Sequence, residues 1–268
     1  MDKVTVIIQA RMGSLRLPGK VLMPLGDTIV LDYVVQRSRA IEGVSEVIVA
    51  TSSLKQDQVI VNWCIEHGVP YFCGSEDDVL DRYYQCAKLY EPDYVIRVTA
   101  DCPFADYQTA SAMVAMLENR KQVRDREQVR DCKQIDHSHQ QYSQREMVDV
   151  VRLEPGLPRG LPVELLSFAA LRYIHQNGTE VYHREHVTYY AYEFPEKFRF
   201  YPVAVEDAKK RPDLRITLDT PEDYLLCQAI ADHFVGNILV SAQDVIDYLA
   251  SHPEIVELNA HIQQKAVK

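Results

Sequence analysis

No two of the six cysteines stand at the C-x-x-C spacing of a zinc knuckle or a redox dithiol. Cys64, Cys73, Cys86, Cys102, Cys132 and Cys227 are scattered, which fits a chain whose thiols stay reduced. Long hydrophobic runs are missing too. The N-terminal stretch Met1-Asp-Lys-Val-Thr-Val-Ile-Ile8 carries an acid at position 2 and only a short apolar run. Neither a secretory leader nor the roughly 20 apolar residues of a membrane helix is expected. Positive charge is also in short supply: 29 Lys and Arg stand against 39 Asp and Glu, for a formal charge of −10. A surface that wraps duplex nucleic acid needs the opposite sign, so nucleic acid is not the expected partner. What is present is ordinary globular composition, 47% hydrophobic and 25% charged over 268 residues, enough to bury a large core. The expectation is a cytoplasmic protein without membrane attachment.

Short apolar runs alternate with helix-length amphipathic segments through the first hundred residues. Val4 to Ile8, Val47 to Ala50 and Tyr94 to Val98 read as buried strands, with a shorter one over Pro70 to Cys73. Ile29 to Ala40, Gln56 to His67 and Asp77 to Tyr90 have helical spacing, and Gly68 and Pro70 stop the second of them. Strict alternation predicts βαβ units and a mainly parallel sheet with helices on both faces. Ligands of such sheets sit beyond the carboxyl ends of the strands. Asn119 to Glu146 is polar and charge-dense, repeats Gln-Val-Arg-Asp at 122 and 128, and reads as a solvated insertion. His137 and His139 fall inside it with no Cys or acidic cluster to complete a metal site. Gly156 to Pro162 is a turn-rich connector. Phe200 to Val205 and Leu214 to Leu218 read as further strands, and Pro221 to Phe234 and Ala242 to Ser251 as closing helices.

The most informative segment follows the first strand: Gln9-Ala-Arg11-Met-Gly13-Ser14-Leu-Arg16-Leu-Pro-Gly19-Lys20. Between Lys3 and Gly26 there are four cations and no acid, in a chain of net charge −10. That concentration suits a polyphosphate lying over the loop. Gly13 and Gly19 let backbone N–H groups approach phosphate oxygens, while Arg11 and Lys20 supply charge. It is not a Walker A loop: five residues separate the glycines, and Val21 stands where Ser or Thr would hold magnesium. Two acids follow strands that end at the same sheet edge, Asp101 after Tyr94 to Thr99 and Asp219 after Leu214 to Leu218. A pair of carboxylates with phosphate oxygens and water is what magnesium takes. The bland alternatives are a turn-shaping role for Asp101 and a helix-flanking role for Asp219.

Ile8 to Leu22 resembles the signature loop of the sugar-acid cytidylyltransferases, a family that includes CMP-Kdo synthetase and acylneuraminate cytidylyltransferase. The spore coat polysaccharide biosynthesis protein F type is the branch it is most similar to. Further matching stretches are Val49 to Ser52, Gly74 to Arg82, Arg97 to Phe104, Arg184 to Val187, Pro195 to Arg199 and Leu214 to Asp223. The resemblance implies a nucleotide-diphospho-sugar transferase fold, Rossmann-like and three-layered. It also implies a homodimer in which about Gly160 to Phe200 extends across to the partner. Residue by residue, it implies that Arg11, Ser14 and Lys20 grip the triphosphate of CTP. Gln9, Ala10, Gly13, Thr51, Gly74 and Ser75 would line the nucleotide, and Asp101 and Asp219 would bind Mg2+. Arg11, Lys20 and Asp101 are the implied catalytic residues.

Glu164, Arg184, Glu185 and His186 are the candidates on the acceptor side, and His186 the candidate general base. Three positions depart from the family pattern. Leu15 stands where Thr is usual, Cys73 where Arg often precedes the Gly-Ser pair, and Pro162 where relatives carry Asp. Pro162 offers neither charge nor donor, so the departures bear on the acceptor more than on the reaction. The implied reaction is attack of a sugar hydroxyl on the α-phosphate of CTP, for surface polysaccharide or glycoconjugate precursors. The alternatives are a glycosyltransferase of related fold, which usually carries Asp-X-Asp where this chain has only Ala100-Asp101-Cys102, and a nucleotide-binding protein without turnover.

Overall fold

The computed structural model describes residues 2–117 and 148–263. Its main sheet has seven strands in the order β5-β4-β1-β6-β8-β7-β9. They are β1 Val4–Gln9, β4 Glu46–Ser52, β5 Tyr71–Gly74, β6 Tyr94–Thr99, β7 Val148–Leu153, β8 Glu164–Ser167 and β9 Phe198–Val203. A two-residue pair, β2 Pro24–Leu25 and β3 Thr28–Ile29, forms a separate hairpin. Helices α1 Val30–Arg39, α2 Gln58–Glu66, α3 Val79–Tyr90 and α4 over residues 107–117 follow the first four parallel strands. The later helices are α5 Phe168–Asn177, α6 Val181–His186, α7 Tyr189–Glu193, α8 Pro221–His233, α9 Ala242–Ser251 and α10 Pro253–Val256.

The apolar runs form strands because both of their faces are covered. In β1, Val6 and Ile8 pack with α1, α2 and α4, while Ile7 between them packs with α3 and α5. That alternation gives the three-layer arrangement. A third cluster lies beyond the sheet, where α8 and α9 enclose Leu214, Ile216 and Leu218.

One strand runs against the rest. β6 pairs antiparallel with β8, β8 antiparallel with β7, and β7 parallel with β9. Reversal of β8 has a geometric consequence: its first residue, Glu164, lies opposite Arg97 at the edge where the parallel strands end.

Two expectations about this half of the chain need correction. The strand read over Phe200 to Val205 begins earlier, at Phe198. Leu214 to Leu218 is not a sheet strand: among the described residues its ladder contact is an isolated bridge between Arg159 and Arg215. Its alternating apolar residues are buried by α8 and α9, and its backbone bonds go to loops. Ile216 N donates to Arg159 O at 2.7 Å, and Leu218 N to Asp101 O at 2.7 Å. Gly160 lets the two segments approach this closely. At φ +99°, a Cβ there would lie 2.6 Å from Ile216 O. The charged insertion 119–146, with His137 and His139, lies outside the described residues. Residues 160–200 form β8, α5, α6, α7 and the start of β9, and within one chain β8 is built into the sheet between β6 and β7.

Candidate active site

A cleft of about 1020 Å³ opens at the carboxyl edge of the parallel strands. Among the described residues its lining carries seven Lys or Arg side chains and five Asp or Glu, an excess of positive charge in an acidic chain. The loop after β1 forms one wall. Met12 O accepts from Ser14 N at 2.9 Å and from Gly19 N at 3.1 Å, which folds residues 12–19 back on themselves. Gly19 takes the left-handed conformation, φ +73°, and opens the 3₁₀ turn Lys20–Leu22 that carries Lys20 inward.

Lys20, Asp101 and Asp219 meet at the inner end of this wall. Lys20 Nζ donates to Asp101 Oδ2 at 2.9 Å, to Asp219 Oδ1 at 2.9 Å and to Leu218 O at 2.7 Å. All three ammonium hydrogens are therefore engaged. Burial alone would lower the Lys20 pKa, but the two carboxylates reverse this and raise it. Burial would likewise raise the Asp101 pKa. The Lys20 charge and hydrogen bonds from Thr99, Lys20 and Cys102 instead bring it down to about 2. The acids come together because Leu218 N and Thr217 Oγ1 both donate to Asp101 O, stitching the segment before Asp219 to the turn after β6.

Asp219 is also held from behind. Its Oδ2 accepts from Arg215 at 3.0 Å and pairs with Arg16 at 3.1 Å. Asp223, fully buried, takes Arg215 through both oxygens at 2.8 and 2.9 Å, and accepts from the backbone N–H of Asp219 and Thr220 and from Asn259 Nδ2. Thr220 and Asp223 at the same time form the capping box that starts α8. Asp101 and Asp219 form an all-oxygen pair already converging on one cation, a donor set that fits magnesium with phosphate oxygens and water completing its shell. Among the described residues no cluster of three or more His, Cys, Asp or Glu forms a fuller cage.

On the opposite wall, Glu164 is held by three donors. Arg97 reaches Oε2 at 2.6 Å, while Thr188 Oγ1 and Tyr192 OH reach Oε1 at 2.7 and 3.0 Å. Arg152 lies 5.3 Å over the Tyr192 ring. Burial and the Glu164 charge push the Tyr192 phenol well above its ordinary value. His186 and Glu185 line the same side. Arg184 does not: its guanidinium chelates Asp78 at 2.6 to 3.0 Å and donates to His175 O at 3.0 Å. It ties α6 to the start of α3, because α6 turns its Arg184 side away from the cleft that His186 faces.

The remaining expected positions divide in the same way. Gln9, Ala10, Arg11, Gly13 and Ser14 line the cleft, and Arg11 also pairs with Glu76 at 3.2 Å. Thr51, Gly74 and Ser75 do not line it. Thr51 is fully buried, and Ser75 O accepts from the Arg82 guanidinium. Among the described residues, three buried polar atoms of the cleft lining have no hydrogen-bond partner: Gln9 Oε1, Arg82 Nε and Arg97 Nε. Such atoms are rare in native proteins. The sequence reading missed Arg82, Arg97, Arg152, Arg159 and Tyr192, all of which line the cleft. Arg82 and Arg97 were legible only as members of matching stretches, and the others carry no local signal.

The chain is similar to known proteins over nearly its whole length. Residues 5–264 match the family described as Cytidylyltransferase. An uncharacterised protein of Methanocaldococcus jannaschii is 34% identical over 266 residues, covering 99% of this chain and 98% of that protein. The spore coat polysaccharide biosynthesis protein SpsF of Bacillus subtilis is 30% identical over 259 residues, covering 95% and 97%. Among solved structures, a cytidylyltransferase from Leptospira borgpetersenii superposes with a TM-score of 0.79 at 28% identity, covering 99% of this chain and all of that one.

Proposed function

The chain belongs to the cytidylyltransferase family, and from that premise we propose that it transfers CMP from CTP to a hydroxylated sugar acid or related acceptor. The observation that carries this reading is the meeting of Lys20, Asp101 and Asp219 beside a glycine- and arginine-bearing loop. In the proposed reaction an acceptor hydroxyl oxygen forms a bond to the α-phosphorus of CTP. The bond from that phosphorus to the bridging oxygen breaks, pyrophosphate leaves with the electron pair, and the hydroxyl proton goes to solvent or a nearby base.

The protein's part is position and charge, as in phosphoryl transfer generally. Arg11 and Ser14 orient the triphosphate along the loop. Lys20 keeps the two carboxylates in one place and neutralises the charge that grows on the leaving pyrophosphate. Asp101 and Asp219 would hold Mg2+, which when bound polarises phosphate oxygens and lowers the pKa of a coordinated hydroxyl. On the acceptor side, Glu164 is oriented by Arg97, Thr188 and Tyr192 and offers its remaining lone pairs to sugar hydroxyls, with His186 beside it. The proposal includes assembly as a homodimer through residues 160–200 and a role in surface polysaccharide precursor synthesis. The first follows from the family resemblance and the second from the name of the Bacillus relative.

The test is pyrophosphate release from CTP, ATP, GTP and UTP with magnesium across a panel of sugar acids. Release confined to CTP with one acceptor is the expected result. Release with another nucleotide, or none with any acceptor from a chain that fails to bind CTP, would overturn the reading.

A further inference from the structure

We infer that Asp57 is the positioning residue of the nucleotide loop, acting through the backbone of Met12; this rests on the reading of that loop as the CTP site. Asp57 closes the short 3₁₀ turn Lys55–Asp57 and occupies the N-cap position of α2. Aspartate is among the best N-cap residues because its carboxylate accepts from the first-turn N–H groups of its own helix. Here it makes no such bond. The fully buried side chain turns away from α2: Oδ1 accepts from Met12 N at 2.7 Å, and Oδ2 accepts from Ser52 Oγ at 2.5 Å. The carboxylate therefore serves a segment 45 residues distant in place of the adjacent helix.

Met12 is the residue on which the loop turns. Its N–H is held by Asp57, while its carbonyl accepts both Ser14 N and Gly19 N, the two bonds that fold residues 12–19 over the cleft. Its neighbours are held from the same side. Arg11 pairs with Glu76, and a Cβ on Gly13 would lie 2.9 Å from Glu76 Oε1 and 3.1 Å from Gln56 Nε2. The residues after β4 and β5 thus form a cradle in which the first half of the loop rests, and Asp57 is its buried carboxylate. Arg11, Ser14 and Lys20 all extend from the segment whose hinge this contact fixes. Asp57 touches none of the reacting atoms in this arrangement; it sets where the groups that do are placed.

The experiment compares the full chain with Asp57→Ala, Asp57→Asn and Ser52→Ala by calorimetric titration with CTP and by hydrogen exchange of the backbone. Asparagine keeps an acceptor for Met12 N, whereas alanine removes it. Asp57→Ala is expected to weaken CTP binding about tenfold or more, with Asp57→Asn within about threefold of the parent, since a buried charge-assisted bond is lost in one and replaced in the other. Exchange should rise in residues 10–22 and stay unchanged in 58–66. A helix-capping role would give the reverse exchange pattern, faster in 58–66, and would overturn the inference. Equal CTP affinity in Asp57→Ala would overturn it as well. Should Asp57→Ala fail to fold, Ser52→Ala decides: faster exchange in 10–22 supports the inference and an unchanged loop contradicts it. Absence of CTP binding by the parent chain would count against the proposed function instead, and the exchange comparison would still judge Asp57.

Discussion

Lys20→Met reduces nucleotidyl transfer by at least about a thousandfold, while the chain still folds at neutral pH. Removing one preorganised charge from a site of this kind costs about 10²–10³ in rate, and Lys20 has a second task that deepens the loss. Its ammonium satisfies Asp101, Asp219 and the Leu218 carbonyl together. Methionine retains the apolar stem but leaves two carboxylates facing each other without the cation between them. The pH dependence has a definite sign. Asp101 is held at about 2 when folded, below the roughly 3.9 of an unperturbed Asp. It therefore contributes stability above about pH 4, and that contribution fades as the pH falls from about 4 towards 2. Without Lys20 the folded-state pKa rises, so the variant is less stable than the parent at neutral pH and the difference between them narrows as the pH falls below about 4. Pyrophosphate-release kinetics and an acid-unfolding curve check both halves. Activity within tenfold of the parent would remove Lys20 from the centre of the site.

Asp223→Ala lowers stability by about 3–5 kcal/mol, the range for breaking one partner out of a buried ion pair. Asp223 is fully buried, and its loss takes two bonds from the half-buried Arg215 guanidinium, which keeps Asp219, and removes the acceptor of two backbone N–H groups and one acceptor of the Asn259 amide. Burial alone would raise the Asp223 pKa, but bonds from Arg215, Asn259 and the Asp219 backbone lower it. For a chain of this length the corresponding fall in melting temperature is about 10 °C. Activity falls too, by about a hundredfold, because Arg215 is what holds Asp219 Oδ2 while Oδ1 faces Lys20. Calorimetry and steady-state kinetics on one preparation read both effects. A loss of stability with unchanged kcat would mean that Asp219 needs no support from behind.

Much of this site is visible in the sequence, for reasons that differ from residue to residue. The first four parallel strands and α1 to α3 are legible because their burial is local and periodic, two-sided for strands and one-sided for helices. The loop from Gln9 to Lys20 stands out through its charge and its glycines. The position of Asp101 is read for the right reason, since it follows β6 at the carboxyl edge of the sheet. Asp219 is found for a partly wrong one: hydrogen bonds to Asp101 and Arg159 carry its segment to the edge, not a strand of the sheet. Long-range partners leave no local trace, and the same limit hides the rest. Nothing near Glu164 reveals that β8 runs backwards to meet Arg97. Nothing in Arg184-Glu-His186 tells which side of a short helix faces the cleft and which faces Asp78. Asp57 looks like an ordinary helix cap until its carboxylate is traced to Met12.

In the proposed reaction the Lys20, Asp101 and Asp219 centre acts on the α-phosphorus of CTP. CTP labelled at that phosphorus, incubated with the chain, magnesium and a sugar-acid panel, tests it most directly. Label is expected to enter a CMP-linked acceptor while an equal amount of unlabelled pyrophosphate appears, and both products are expected to vanish in Asp101→Ala. Label retained in CTP across the panel, label released only as free CMP, or undiminished transfer by Asp101→Ala would contradict it.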